Sequence, residues 1–137
     1  MSSIRPNPEQ FRQLSESAES GPVVMLNLLK FKPQADDGGE SGASAYRRYG
    51  DAAVRMIEDQ GGRLLWAGSA DQILIGDPEQ DWDQVLLVEY PSRKAFIEMV
   101  SKPQYNEAHK HREAGLERTI VVACTPTALA IKTGGGA

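Results

Sequence analysis

Two polar residues interrupt runs that are otherwise apolar. Asn27 sits inside 23–31, and Glu89 inside 84–90. Side chains alternate along a strand, so Asn27 shares a face with Met25 and Leu29, and Glu89 with Val85 and Leu87. A buried carboxylate is costly unless paired, and burial lifts its pKa toward the range useful for acid–base work. If the two strands are neighbours and the register allows, Asn27 and Glu89 form the polar floor of an apolar pocket. The plainer reading is a satisfied polar pair, or a Glu89 salt-bridged at the strand end.

His109 and His111 are the only histidines. At i and i+2 of a helix they point nearly opposite ways and make no two-His metal pair. His109 and Glu113, at i and i+4, can share a face, but two groups fall short of a metal site, and none is expected. A histidine facing a pocket is a candidate general base. The run His109-Lys110-His111-Arg112 nevertheless reads first as a solvated helix surface. Arg112 is the better anion candidate, because a guanidinium grips a carboxylate through two hydrogen bonds. Arg93, near a helix start, reads equally well as a surface residue. Tyr46, Tyr49, Trp66 and Trp82 are candidate aromatic walls, although the tyrosines also fit as plain core residues and Trp82 as a cap on the sheet edge. The candidates for catalysis are thus Glu89 and His109. Those for ligand binding are Asn27, Tyr46, Trp66 and Arg112.

The elements that must position these residues follow from pattern. Asn7 caps a short helix over 7–19, with Pro8 at its first position and Gln10 closing a capping box. Residues 23–31 read as a buried strand, and 32–44, rich in Gly, Asp and Ser, as a loop with the length of a lid. Tyr46, Tyr49, Gly50, Ala53, Val54 and Ile57 follow the spacing of an amphipathic helix that stops at Gly61-Gly62. A long strand over 63–76 carries a bulge or bend at 68–71, and 84–90 is the third strand. Ser92 caps a helix broken at Lys102-Pro103; a further helix ends on Gly115 in the left-handed conformation. Residues 116–124 form the fourth strand. The tail over 127–137 reads as weakly ordered, with 128–131 able to add an edge contact.

Composition bounds the function classes. The chain has 137 residues, 40% of them hydrophobic and 25% charged, with a net charge of −4, which suits one soluble domain with its core over about 22–126. Basic residues are scattered, so neither a nucleic-acid stripe nor a polybasic membrane patch is present. The single cysteine, Cys124, reads as a buried apolar residue and permits no internal disulfide, in keeping with the cytoplasm. No apolar run has the length of a membrane span or the form of a signal peptide. The Gly-x-Ser-x-Gly elbow, the Walker loop, Gly-x-Gly-x-x-Gly, Cys-x-x-Cys and His-Glu-x-x-His are all absent.

After the leading helix the order is strand, helix, strand, strand, helix pair, strand. This is the α+β split βαβ pattern of a ferredoxin-like βαββαβ fold, and right-handed crossovers favour an antiparallel sheet of order 4-1-3-2 with the helices on one face. A sheet open on one side should alternate apolar and polar residues. Here both faces are apolar: Val23, Met25 and Leu29 oppose Val24, Leu26 and Leu28, while Ile120 and Val122 oppose Val121 and Ala123. The second face needs a cover, either a second copy in a two-fold homodimer or the N-terminal helix folded across it.

Three stretches carry a resemblance: Val24-Met25-Leu26-Asn27-Leu28-Leu29-Lys30-Phe31, Trp82-Asp83-Gln84-Val85-Leu86-Leu87-Val88-Glu89-Tyr90-Pro91-Ser92, and His111-Arg112-Glu113-Ala114-Gly115-Leu116-Glu117-Arg118-Thr119. Together they resemble DUF1330, a domain of unknown function in the dimeric α/β-barrel superfamily, over roughly Pro22 to Pro126. The resemblance implies a homodimer whose sheets face each other. It implies little chemistry, since that superfamily spans cofactor-free monooxygenases, isomerases, haem-handling enzymes and plain ligand binders.

Three functions stay open on the residues. One is a homodimeric binder of a small organic molecule, or a cofactor-independent enzyme of proton-transfer or monooxygenase type. The second is a non-catalytic dimer module without a pocket. The third, least supported, is a haem binder with His109 as axial ligand.

Overall fold

The structure, a computed structural model, describes residues 5–36 and 38–127. The elements run α1 (Pro8–Ser15), β1 (Val23–Phe31), α2 (Gly42–Asp59), β2 (Arg63–Ser69), β3 (Gln84–Tyr90), α3 (Arg93–Val100), α4 (Pro103–Gly115) and β4 (Leu116–Cys124). The strands form one antiparallel sheet in the order β2-β3-β1-β4, as the ferredoxin-like pattern requires. The expected caps form. The Asn7 side chain accepts from Gln10 N while Gln10 reaches back to the Asn7 backbone, and Ser92 Oγ accepts from Ala95 N at 3.0 Å. The segment 128–131, read as an edge contact, lies outside the described residues.

Three local expectations are corrected. β2 stops at Ser69 rather than Gly76, because beyond Ala70, whose N–H donates to Asp83 O at 3.0 Å, the chain turns away over Asp77. The bulge falls at Leu65, between the Leu64 and Trp66 pairs, instead of at 68–71. Gly115 closes α4 without a left-handed backbone; among the described residues the glycines with positive φ are Gly38, Gly61 and Gly76. What demands glycine there is proximity. A Cβ on Gly42 would sit 2.5 Å from the Gly115 carbonyl oxygen, so the starts and ends of α2 and α4 cross backbone to backbone.

All four helices lie on one side of the sheet. Val23, Met25, Val88 and Tyr90 from the strands are buried against Ala53, Met56 and Ile57 of α2, Met99 of α3 and Tyr105 and Ala108 of α4. Fully burying a large side chain of this kind stabilises by roughly 1.5–3 kcal/mol, which fixes the helix layer on the sheet. α1 joins this side through Leu14, so it does not fold across the opposite face. That outer face carries Val24, Leu26, Leu28, Val85, Leu87, Ile120 and Val122, and no helix among the described residues covers it. Ile120 and Val122 keep 45% and 43% of their surface exposed. Cys124 falls on this face half-buried, not fully buried as expected.

Candidate functional site

Helices and sheet do not close on each other along the whole inner face. Between them lies a cleft of about 1310 Å³, lined by strand residues below and by α1, α2, α3 and α4 above. Strand register sets its floor in rows. One row places Ser69, Gln84, Leu29 and Thr119 side by side; the next holds Ala67, Leu86, Asn27 and Val121; the next Leu64, Val88, Met25 and Ala123. The floor therefore passes from polar to apolar over three rows. Asn27 Nδ2 donates to Met25 O at 3.0 Å, and Thr119 Oγ1 donates to Leu28 O at 2.7 Å.

α4 supplies the roof. Tyr105, Ala108, His109, Arg112 and Gly115 are its buried residues, a single stripe at helical spacing. His109 and Arg112 are 5% and 6% exposed and both line the cleft, so the solvated-surface reading of this run is corrected. Only Lys110 and, in part, His111 face outward. The His109 ring stands edge-on to Tyr49 and tilted on Tyr105, with centroids 6.4 and 5.6 Å away. Its Nδ1 is buried and has no hydrogen-bond partner among the described residues; the nearest carboxylate oxygen, on Glu113, is 3.6 Å away, beyond hydrogen-bond range. Burial, reinforced by the Arg112 and Arg5 charges and opposed by Glu113, lowers the His109 pKa to about 4. The imidazole is thus neutral near pH 7. Glu113 is turned toward Arg5, whose guanidinium donates two bonds of 2.9 Å to it. That pair ties the chain leading into α1 to α4.

Arg112 lies beneath the Tyr49 ring, 5.9 Å from its centroid, and its charge and hydrogen bond act on Tyr46. The Tyr49 and Tyr105 hydroxyls are 2.8 Å apart. Burial raises Tyr46 to about 12 and Tyr49 well above its ordinary value, so these hydroxyls stay protonated and serve as hydrogen-bonding groups, not as bases.

The structure brings Asn27, Tyr46, His109 and Arg112 to one cleft and separates two other candidates from it. Glu89 pairs with Val24, whereas Asn27 pairs with Leu86, so the two polar residues lie on opposite faces. The shared polar floor is therefore not formed. Glu89 instead makes a 3.1 Å salt bridge with Arg63 near the strand end. Trp66 is turned to the outer face by the bulge at Leu65, where it pairs with Leu87, lies over Gly68 and is 53% exposed. Trp82 holds the sheet edge, with the Arg118 guanidinium 4.4 Å from its ring centre. The described residues of the loop between β1 and α2 do not line the cleft. They dock on the end of α4 through Lys32 N to Gly115 O at 2.8 Å and Asp36 N to Ala114 O at 3.0 Å, with Ala35 buried. Sequence reasoning missed Gln84, Tyr105 and Thr119. The i, i+4, i+7 spacing of Tyr105, His109 and Arg112 was the available signal for the roof. Among the described residues no group of three or more His, Cys, Asp or Glu could hold a metal, and no helix is long and apolar enough to cross a membrane.

Several known structures are similar to this one. A protein of unknown function from Rhodopseudomonas palustris, RPA0582, is 37% identical, with 94% of this chain and 100% of that chain covered and a TM-score of 0.88. SnoaB, a cofactor-independent oxygenase from Streptomyces nogalater, is 12% identical over 82% of this chain and 100% of its own, at a TM-score of 0.53. A dabb family protein with a ferredoxin-like fold from Mesorhizobium loti is 15% identical over 79% and 99%, at 0.50. At these low identities the last two show the shared fold alone. No curated protein matches the chain. The model of the family described as "Domain of unknown function (DUF1330)" matches residues 41–125, which takes in α2 through β4, and the chain belongs to that family.

Proposed function

We propose that this chain is a homodimeric binder of small organic molecules, with the ligand held in the cleft between helices and sheet and the second copy covering the outer face. The observation that carries the ligand reading is the burial of Arg112 and a neutral His109 against a large cleft. Burying a guanidinium is costly, and holding one beside Tyr46 and Tyr49 on the wall of the cleft places a fixed positive charge next to the space a ligand would occupy. Apolar walls with a few convergent polar groups are the usual make-up of a small-molecule site. Pairing through the outer face is supported by its row of exposed aliphatic residues, since exposed apolar patches mark interaction sites.

A second reading makes the protein a cofactor-independent enzyme of proton-transfer type, with His109 accepting a proton from an acidic carbon or hydroxyl of the ligand. A buried, neutral imidazole whose Nδ1 makes no hydrogen bond among the described residues favours it. A haem role is disfavoured by a ring that is 5% exposed and enclosed by Tyr49 and Tyr105.

The test is a thermal-shift screen of small organic acids and their neutral analogues. Specific binding to the native state must raise the melting temperature. Acidic hits are expected, with the shift lost in Arg112→Gln while circular dichroism stays native. A folded protein that no compound stabilises would remove the ligand reading.

A further inference from the structure

The two edges of the sheet are finished differently. β2, at one edge, carries Arg63 at its start and the bulge at Leu65, both of which discourage a further strand from pairing there. β4, at the other edge, runs Thr119-Ile120-Val121-Val122-Ala123-Cys124 without a charge, a proline or a break in register. Ile120, Val121 and Val122 alternate between the two faces of the sheet, yet keep 45%, 44% and 43% of their surface exposed. No described helix or strand closes over this edge. Between β2 and β3 the chain runs out into an apolar tip. Leu74 and Ile75 are 83% and 92% exposed, and the chain turns back at Gly76, whose φ is positive. Among the described residues the backbone of 71–76 makes no hydrogen bond to another backbone group. Asp71, Asp77, Glu79, Asp81 and Asp83 surround the tip, and no Lys or Arg lies between Arg63 and Arg93, which sets it against an anionic lipid surface.

Resting on the homodimer reading above, we infer that residues 71–76 are an arm that docks on the β4 edge of a second copy, packing Leu74 and Ile75 against Ile120, Val121 and Val122 of that copy. In its own chain the arm springs from the β2 side of the sheet, and β3 and β1 separate it from β4. A two-fold axis running along the strands of two facing sheets lays β2 of each copy opposite β4 of the other. Facing sheets stand about 10 Å apart, and six extended residues span roughly 20 Å, so the arm is long enough to cross. The contact is then made twice and closes on itself, leaving no arm or β4 edge over for a third chain. Area points the same way. Four strands of seven paired residues present a face on the order of 450 Å², whereas each partner of a stable pair buries about 800 Å². Two arms on two edges supply apolar contact that the sheet face lacks.

Sedimentation equilibrium of the full chain tests this. Leu74→Ser combined with Ile75→Ser alters two side chains that are exposed in the single chain, so circular dichroism and the monomer's denaturation curve should stay native. The dimer dissociation constant should rise by roughly a hundredfold or more. An unchanged dissociation constant would overturn the inference and leave the homodimer reading standing. A wild-type chain that stays monomeric at every concentration would remove both. Cross-linking locates the acceptor. In a Cys124→Ser background, chains carrying Leu74→Cys mixed with chains carrying Val121→Cys should be joined by a short bis-maleimide, and Leu74→Cys chains alone should not. No joining in the mixture, or joining of Leu74→Cys chains to one another, would overturn the assignment to β4. Flotation of the wild-type chain with phosphatidylcholine vesicles, lost in the double serine variant, would give the arm to lipid and overturn the inference as well.

Discussion

The two faces of the sheet are built from the same kinds of side chain and are used in opposite ways. The inner face meets helices at one end, burying Val23, Met25 and Tyr90, and stands off from them at the other, where Gln84, Thr119 and Asn27 line the same cleft as Arg112. The outer face is uniformly apolar along its middle, with its charged groups, Glu89 and Arg63 among them, toward the ends. An apolar surface with no polar residue in its centre suits a permanent partner of equal character. The difference teaches that hydrophobicity alone does not mark a binding cleft; where the polar residues interrupt it does.

The largest test of this contrast places a charge at the middle of the outer face. Leu26→Asp should leave an unpaired carboxylate in the proposed interface and cost on the order of 3 kcal/mol or more of association. Sedimentation should show that protein as a monomer with ligand binding in the cleft retained; an unchanged dimer would mean that pairing uses another surface. On the inner side, Gly115→Ala drives a methyl group into the Gly42 carbonyl and should destabilise the fold by about 3 kcal/mol in chemical denaturation. A loss of dimer without a loss of stability would contradict the contrast.

A smaller effect comes from pH. The folded His109 pKa, about 4, lies below its unfolded value of 6.5, so the unfolded chain binds the extra proton between the two. The associated stability is present in full above pH 6.5 and is lost as pH falls toward 4. Arg112 on the same helix and Arg5 from the N-terminal segment add to the effect, and Glu113 opposes it. His109→Asn should flatten that part of the urea-denaturation profile; an unchanged profile would show that His109 is not the group responsible. The smallest expected effect is that of Glu89→Gln. Its partner Arg63 is 70% exposed, so stability should change by less than about 1 kcal/mol, and ligand binding in the cleft should not change at all.

The strand order and the doubled apolar character of the sheet were legible because they rest on local pattern. Asn27 and Glu89 show the limit. Which side chains share a face across two strands depends on register, and a shift of one residue reverses the answer. Nothing within 23–31 or 84–90 sets that register; the turn that ends at Asp83, whose N–H donates to Leu29 O at 2.7 Å, does. Trp66 failed for a related reason, since one extra residue at Leu65 exchanged the faces of everything before it relative to everything after. His109 and Arg112 were hidden by their neighbours: a basic run looks solvated until Tyr105, Ala108 and Gly115 are counted on the same stripe. Tyr46 was legible as a wall because an aromatic on the apolar face of a helix has few other places to go.

The turning of Trp66 onto the outer face has a practical result. Both tryptophans stand away from the cleft, one over Gly68 and the other against Arg118. In the proposed dimer, intrinsic fluorescence should therefore follow dilution and self-association, through the wetting and drying of Trp66, while remaining nearly silent when the cleft fills.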